Sequence, residues 1–432
     1  MTAQHTPVDV VCLGESMVTF LPTRRGRLAD VPSFDRGIGG AESNVACALA
    51  AAGHRAKWIS RVGADGFGDH LVEAIAAYGV DTRAVRRDPH RPTGVYFRTA
   101  DDRDADHHEV IYYRAGSAAS AMAPGVLDVA DLWSGRVLHL SGITAALSPQ
   151  CLALMRELTT RAPGRPLVSF DVNFRPGLWR EAEESGTGGP GPRVLLELAR
   201  GADLVFVGED EAEAAWGVCG AQAIRAALPE PAVLVVKRGP AGATVFSRST
   251  AEGGTDSGGV DGAGGGAGRD TDTDTDTDTD TVTDVPALRV DVVAPVGAGD
   301  AFAAGFLSGT LRDLPVRDRA RHGHLMAAAA LTVHGDLATP PDRAHADRLA
   351  ALDDTAWADL RIGPGWTETT ADATEASSDA PEASSAAPGV GPTAAHPTAA
   401  HPTAAHPTEA VETRADVTVT GLSGTDEEVR TP

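Results

Sequence analysis

From Val8 to about residue 360, short β-branched runs take turns with Ala/Leu-rich stretches of helical period. This alternation limits the possible folds more than any other feature of the chain. "VDVVCLG", "RAKWISRVG", "RVLHLSG", "PLVSFDVN", "ADLVFVG", "AVLVVKRG" and "GATVF" read as strands. "AESNVACALAAAG", "GDHLVEAIAAYG", "CLALMRELTTRA", "RVLLELARG", "EDEAEAAWG" and "DAFAAGFLSGTL" read as helices, several stopped by glycine. Strands that are apolar along their whole length need cover on both faces, and helices between them supply it. The expectation is an α/β, doubly wound, mostly parallel sheet flanked by helices.

Two stretches break the rhythm, "MVTFLPTRRGRLADVPSFDRG" and "PTGVYFRTADDRDADHHEVIYYRAG", the second being two alternating strands around a polar loop. Such strands suit a small separate sheet better than a parallel one. Placed over the C-terminal ends of the main strands, residues of about 16–36 and 92–115 would form a β-sheet lid, with a ligand between lid and core.

Charge divides the chain further. Of a net charge of −23, residues 252–284 and 364–432 carry −9 each, leaving −5 for the rest. The first segment holds "DTDTDTDTDTDT" and the second "HPTAAHPTAAHPT", in surroundings with few large apolar side chains. Neither can offset the entropy of ordering, so 249–284 and 364–432 are expected to be a disordered acidic insert and a disordered Pro/Ala/Thr-rich tail around a folded domain of 8–360. Alternating Asp and repeated His are potential cation ligands, but solvated low-complexity sequence is the usual meaning of such tracts. The acidic balance argues against nucleic acid or anionic membranes as partners. No run of 18 apolar residues and no basic-then-apolar leader is found, so the expectation is a cytoplasmic protein. Cys12, Cys47, Cys151 and Cys219 lie scattered in apolar contexts without metal-ligand spacing, as expected of buried thiols.

The chemistry-bearing stretches are short. In "GIGGAESN", Gly39 and Gly40 precede a helix and let a polyhydroxylated ligand approach the backbone, while Asn44 offers both a donor and an acceptor. A tight turn with a helix-facing Asn is the plainer alternative, and the spacing is wrong for a dinucleotide fingerprint. In "EVIYYRAG", strand alternation puts Val110, Tyr112 and Arg114 on one face and Ile111 and Tyr113 on the other. Arg175 follows a strand's C-terminal end in "SFDVNFRPGLW". Two arginines converging on one cleft suit a carboxylate or phosphate, whereas each alone reads as a surface ion pair.

"VVKRGPAGATVF" places Lys237, Gly239, Gly242 and Ala243 at a strand end and turn, which either lines a nucleotide or simply joins two strands. "GEDEAEAAWG" opens a helix with acids that the helix dipole favours in any case, and Glu211 among them could hold Mg²⁺ through water. Finally, "PVGAGDAF" sets Gly297, Ala298 and Gly299 before Asp300 at a helix start, where backbone N–H groups attract a phosphate.

Taken in this order, GG-x-x-x-N, the turn at 239–242 and G-A-G-D resemble the PfkB family of carbohydrate kinases, whose fold is ribokinase-like, over residues 8 to about 350. "GGAESN", "TGVYF", "YYRAGSA" and "DVNFRPGLW" are most similar to its 2-keto-3-deoxygluconate kinases. The resemblance implies transfer of the ATP γ-phosphoryl group, with Mg²⁺, to the terminal hydroxyl of that sugar acid. Gly39, Gly40, Asn44, Tyr96, Tyr112, Arg114 and Arg175 would contact the sugar, Asp336 would join them, and the arginines would face its carboxylate. Lys237 to Ala243 would border the ATP, His324 would flank the adenine, Gly297 to Gly299 would hold the phosphoryl group, and Asp300 would be the catalytic base. Lid edges that pair in related kinases make a homo-oligomer compatible with this reading.

Two positions depart from the family pattern. Ala294 stands where many members carry an aspartate linked to a monovalent cation, so potassium activation is not expected. Gly208 stands at the Asn of N-x-x-E, with Glu211 keeping the acid. The competing readings are a kinase for a neutral sugar such as fructose or for another sugar acid, and, in another class, a non-catalytic sugar-acid or nucleotide sensor, which would have no need of Asp300.

Overall fold

Side chains that are apolar on both faces of a strand dictate a three-layer arrangement, and the computed structural model, which describes residues 8–24, 26–99, 110–184, 191–248 and 280–368, has one. In chain order the strands are β1 (Val8–Leu13), β2 (Met17–Pro22), β3 (Phe34–Gly39), β4 (Ala56–Ile59), β5 (Arg61–Gly63), β6 (Arg86–Asp88) and β7 (Val95–Arg98). They continue as β8 (Val110–Tyr113), β9 (Gly135–Ser141), β10 (Leu167–Asp171), β11 (Leu204–Gly208), β12 (Val233–Lys237), β13 (Ala243–Arg248) and β14 (Asp280–Val285), and end with a short parallel pair, β15 (Arg289–Val290) and β16 (Arg361–Ile362). The central sheet has eight strands in the order β14-β13-β12-β11-β10-β9-β1-β4. From β4 to β12 all neighbours are parallel, and β13 and β14 are added antiparallel at one edge.

Alternate residues of one strand feed different layers. Val11 and Leu13 pack with Leu138, Leu140, Phe170 and Val207 on one face, whereas Val10 and Cys12 pack with Trp58, Phe206 and Val235 on the other. Each such fully buried side chain contributes about 1.5–3 kcal/mol relative to exposure. The second face is covered by helices Ala41–Ala51 and Ala298–Leu311, joined edge-on to the sheet through Phe206 and Phe306 with ring centroids 5.5 Å apart. Helix Val316–Leu331, whose basic first half conceals its Ala-rich face in the sequence, packs beside helix Ala298–Leu311 and against β13 and β14.

The two irregular stretches form one four-stranded sheet in the order β3-β2-β7-β8, as expected of a lid. Its β2–β7 pair is parallel and its outer pairs are antiparallel. Phe20 stacks on Phe97 with centroids 4.7 Å apart on the face away from Tyr96.

Several expectations are corrected. Residues 280–284, assigned to the disordered insert, belong to β14: Val282 and Asp284 alternate with threonines opposite Phe246 and Thr244, a strand pattern hidden by the preceding Asp-Thr repeat. Residues 364–368, assigned to the tail, make a turn and a short 3₁₀ helix, Trp366–Glu368, with Trp366 packed against the core. "RAKWISRVG" is two strands, because Arg61 turns to pair with Asp88 at 2.6 Å and takes β5 into a separate pair with β6. Cys219 is exposed, while Cys12, Cys47 and Cys151 are buried. The Asp-Thr repeat up to residue 279 and the His-Pro repeats lie outside the described residues, as does the whole of a second unit, Glu375–Pro432. Among the described residues no helix is long and apolar enough to cross a membrane.

Candidate active site

A cleft of about 520 Å³ opens where the parallel strands end, between those ends and the lid. Open α/β sheets bind ligands at this edge because loops and helix N-termini converge there. Gly39, Gly40, Asn44, Tyr96, Tyr112, Arg114, Arg175, Glu211, Lys237, Gly297, Gly299, Asp300 and Asp336 all line it, although they come from stretches up to 297 residues apart. Gly239, Gly242, Ala243, Ala298 and His324 do not.

Asp300 occupies the first turn of helix Ala298–Leu311, which begins two residues earlier than the sequence pattern places its start. Gly297 is the N-cap with φ of 77°, a left-handed conformation that favours glycine, and a methyl group there would collide with the carbonyl oxygen of Asp336. First-turn N–H groups have no partner within a helix, so this end faces the cleft with donors and a positive dipole. Burial pushes the Asp300 carboxyl up to about 7; the Asn44 hydrogen bond opposes this, Asp171 adds to it, and Arg175 and Lys237 oppose it. Asn44 donates Nδ2–H to Asp300 Oδ2 at 2.9 Å and keeps its Oδ1 buried without a protein partner. A carboxylate poised near neutrality is suited to accept a proton.

Lys237, at the end of β12, donates to both oxygens of Asp171 at 3.1 Å and lies 3.8 Å from the Cβ position of Gly299. Burial works against its charge, but Asp171, Glu211 and Asp300 outweigh this and raise its pKa, so the ammonium stays charged beside the helix start. Glu211 accepts a hydrogen bond from the backbone N–H of Gly208 at 2.7 Å and faces Arg175 at 3.6 Å.

The lid contributes its cleft-facing residues by alternation. Val110, Tyr112 and Arg114 line the cleft, and Ile111 and Tyr113 point outward and are exposed. Arg114 forms a buried ion pair with Glu15, which also accepts from Ser117 Oγ at 2.5 Å. Tyr96 donates to Asp336 Oδ2 at 3.0 Å; burial and the charge of Asp336 push its phenol pKa up, so it remains a donor.

Four lining residues with polar side chains escaped the sequence reading: Glu15, Arg98, Asp171 and Asn173. Asp171 carried a signal, since a carboxylate ending an apolar strand is costly unless paired. Asn173 shows a left-handed φ of 41°, and its buried Oδ1 has no protein partner. His324 lies outside the cleft lining: it packs edge-on against Phe302 at 5.1 Å, with Nε2 3.3 Å from the Val285 carbonyl, and burial lowers its pKa to about 4.

The model of the pfkB family of carbohydrate kinases matches residues 8–264 and 268–343. The chain belongs to the pfkB family. It is similar to the 2-dehydro-3-deoxygluconokinase of Bacillus subtilis (strain 168), with 32% identity over 355 residues that cover 80% of this chain and 95% of the relative. It is also similar to the probable chloroplastic fructokinase-6 of Arabidopsis thaliana, 28% identical over 342 residues that cover 77% and 79%. The solved PfkB protein from Polaromonas sp. JS666 superimposes with a TM-score of 0.61 at 31% identity, covering 79% of this chain and 99% of its own. This pfkB member is accordingly an ATP-dependent sugar kinase with a ribokinase-like α/β fold.

The cleft of the kinase also fits a magnesium-bound nucleotide. Its lining has five carboxylates against four cationic side chains, so phosphate groups entering it require added positive charge. Asn173 Oδ1 offers an unused oxygen. Among the described residues no group of three or more His, Cys, Asp or Glu is placed to hold a metal.

Proposed function

We propose that this kinase phosphorylates the terminal 6-hydroxyl of 2-keto-3-deoxygluconate with ATP, giving 2-keto-3-deoxy-6-phosphogluconate. One observation carries the choice of a sugar acid: Arg114 is held in the cleft by Glu15, yet its Nε–H is buried without a protein partner. Buried donors are almost always satisfied, and a substrate carboxylate would satisfy this one. The similarity to the Bacillus subtilis enzyme supports the same substrate.

In this reading Asn44, Tyr96, Tyr112, Arg114 and Asp336 hold the sugar acid, with Arg175 at the rim and Gly39 and Gly40 giving the ligand access to the backbone. Asp300 accepts the proton of the attacking hydroxyl, its ionised form held by Asn44. The first-turn N–H groups after Gly297 and the Lys237 ammonium stabilise charge on the transferring group. Mg²⁺, carried with ATP and held through water by Glu211, Asp171 or Asn173, neutralises the phosphates when bound. Gly239, Gly242 and Ala243 border the nucleotide from beyond the cleft lining. The lid excludes water that would otherwise hydrolyse ATP.

The test is ADP release by purified protein over a panel of sugars and keto-deoxy sugar acids. 2-Keto-3-deoxygluconate should exceed fructose in kcat/KM by about tenfold or more, since the neutral competitor leaves the buried Arg114 Nε–H without a partner. A preference for fructose would favour the neutral-sugar reading, and failure of every sugar in the panel to elicit ADP release would favour a sensor.

A further inference from the structure

Arg98 ends β7 and shares a face with Tyr96, pointing inward while Val95 and Phe97 point to the other side of the lid. Its side chain is 4% exposed, and Nη2 lies 3.2 Å from Oδ1 of Asp336, itself 8% exposed. Tyr96 binds the other oxygen, so two residues of one lid strand hold both oxygens of an acid 238 and 240 residues further along the chain. The main chain of the same aspartate limits the anion-hole turn, because its carbonyl oxygen fills the space that a side chain on Gly297 would need. Its carboxylate does the same at Gly39, where an added Cβ would lie 2.8 Å from Oδ2. Asp336 is therefore the point where the lid, the sugar-side glycine and the phosphate-side glycine meet.

A buried ion pair is a poor way to add stability, because desolvation of both partners offsets their attraction, and an apolar pair of the same volume serves as well. What the pair does supply is a carboxylate fixed in direction. We infer that Arg98 is a positioning residue for the phosphoryl transfer: by its ion pair with Asp336 it orients the sugar-contacting carboxylate and ties the lid strand to the Gly297 turn. The inference rests on the proposed role of Asp336 as a sugar contact. Without Arg98, the Asp336 carboxylate loses the ion pair that fixes Oδ1, and the lid loses its tether to the turn that receives the phosphoryl group.

The test is a double-mutant cycle of Arg98→Met and Asp336→Asn on the full chain, measured with whichever sugar the wild-type enzyme turns over fastest. A wrong sugar assignment then shows in the wild type alone, and failure of this inference shows only in the variants. Arg98→Met should raise the KM for sugar about tenfold or more and lower kcat about threefold, with the KM for ATP unchanged and partial rescue by Arg98→Lys. The double variant should lie within about threefold of the poorer single variant, because both remove one interaction. Multiplying losses, or a lower Tm with wild-type sugar kinetics, would overturn the inference. Should Arg98→Met not fold, the same cycle with Arg98→Gln, which also removes the charge, is read by the same criteria.

Discussion

Asn44 Nδ2 and Asp300 Oδ2 stand 2.9 Å apart, linking the first turns of two helices separated by 256 residues of chain. The bond stabilises the ionised carboxylate against the burial that raises its pKa to about 7. Asn44→Ala should therefore move the acid limb of the kcat/KM profile to higher pH by about half a unit to one unit. A profile unchanged in position would separate the two residues functionally.

Asp300→Asn removes the proton acceptor. It should keep ATP binding and lose about 10²- to 10⁴-fold in kcat. The same variant makes a stability prediction of definite sign. The folded-state pKa lies above the usual 3.8, so the carboxyl favours folding when protonated and opposes it as pH rises through about 7. Asp300→Asn should thus have a higher Tm than wild type at pH 8, and the difference should vanish near pH 4. Near-wild-type turnover, or a Tm gain largest in acid, contradicts the assignment.

Removing Arg114 alone strands Glu15, whose side chain is 1% exposed, at a cost of about 3–5 kcal/mol for an uncompensated buried charge. The informative variant is Arg114→Met combined with Glu15→Gln. Steady-state assays should show a KM for 2-keto-3-deoxygluconate raised about a hundredfold, as expected for loss of a charge-assisted contact. The KM for fructose should hardly change. Equal effects on both sugars would remove the carboxylate from the proposed function.

Ala294 is fully buried and has no oxygen to offer a cation in its side chain. Turnover in potassium chloride should match that in tetramethylammonium chloride at equal ionic strength. An increase of about threefold or more with potassium would require another cation-binding group beside the anion hole.

Much of this architecture could be read from local pattern. Strands β1, β9, β10, β11 and β12 are near-continuous apolar runs, and β8 alternates cleanly enough to separate Tyr112 and Arg114 from Ile111 and Tyr113. Asp300, Asn44 and Lys237 were legible because each sits at a helix start or strand end beside glycines that mark a turn. Glu15 and Arg98 were not, since their meaning lies in partners 99 and 238 residues away and nothing in "GESM" or "VYFRT" announces an ion pair. β14 was lost for a related reason: its threonines and aspartates continue the composition of the repeat, and only pairing with β13 distinguishes it. The packing of His324 among Phe302 and Trp357 was not legible either, since the rings it meets are 22 and 33 residues away in sequence.

The reversal of direction at β13 has a practical meaning. β12 delivers Lys237 to the cleft, and β13 runs back, so that Arg248 and Asp280 pair at the opposite end of the sheet. Whatever the chain carries between those two residues is attached away from the reaction, at two ends already held together by a strand ladder. That edge is a natural socket: a reporter or an affinity domain grafted in mid-chain there would be joined at both ends to a rigid support, leaving the machinery at the other end of the strands to work unchanged.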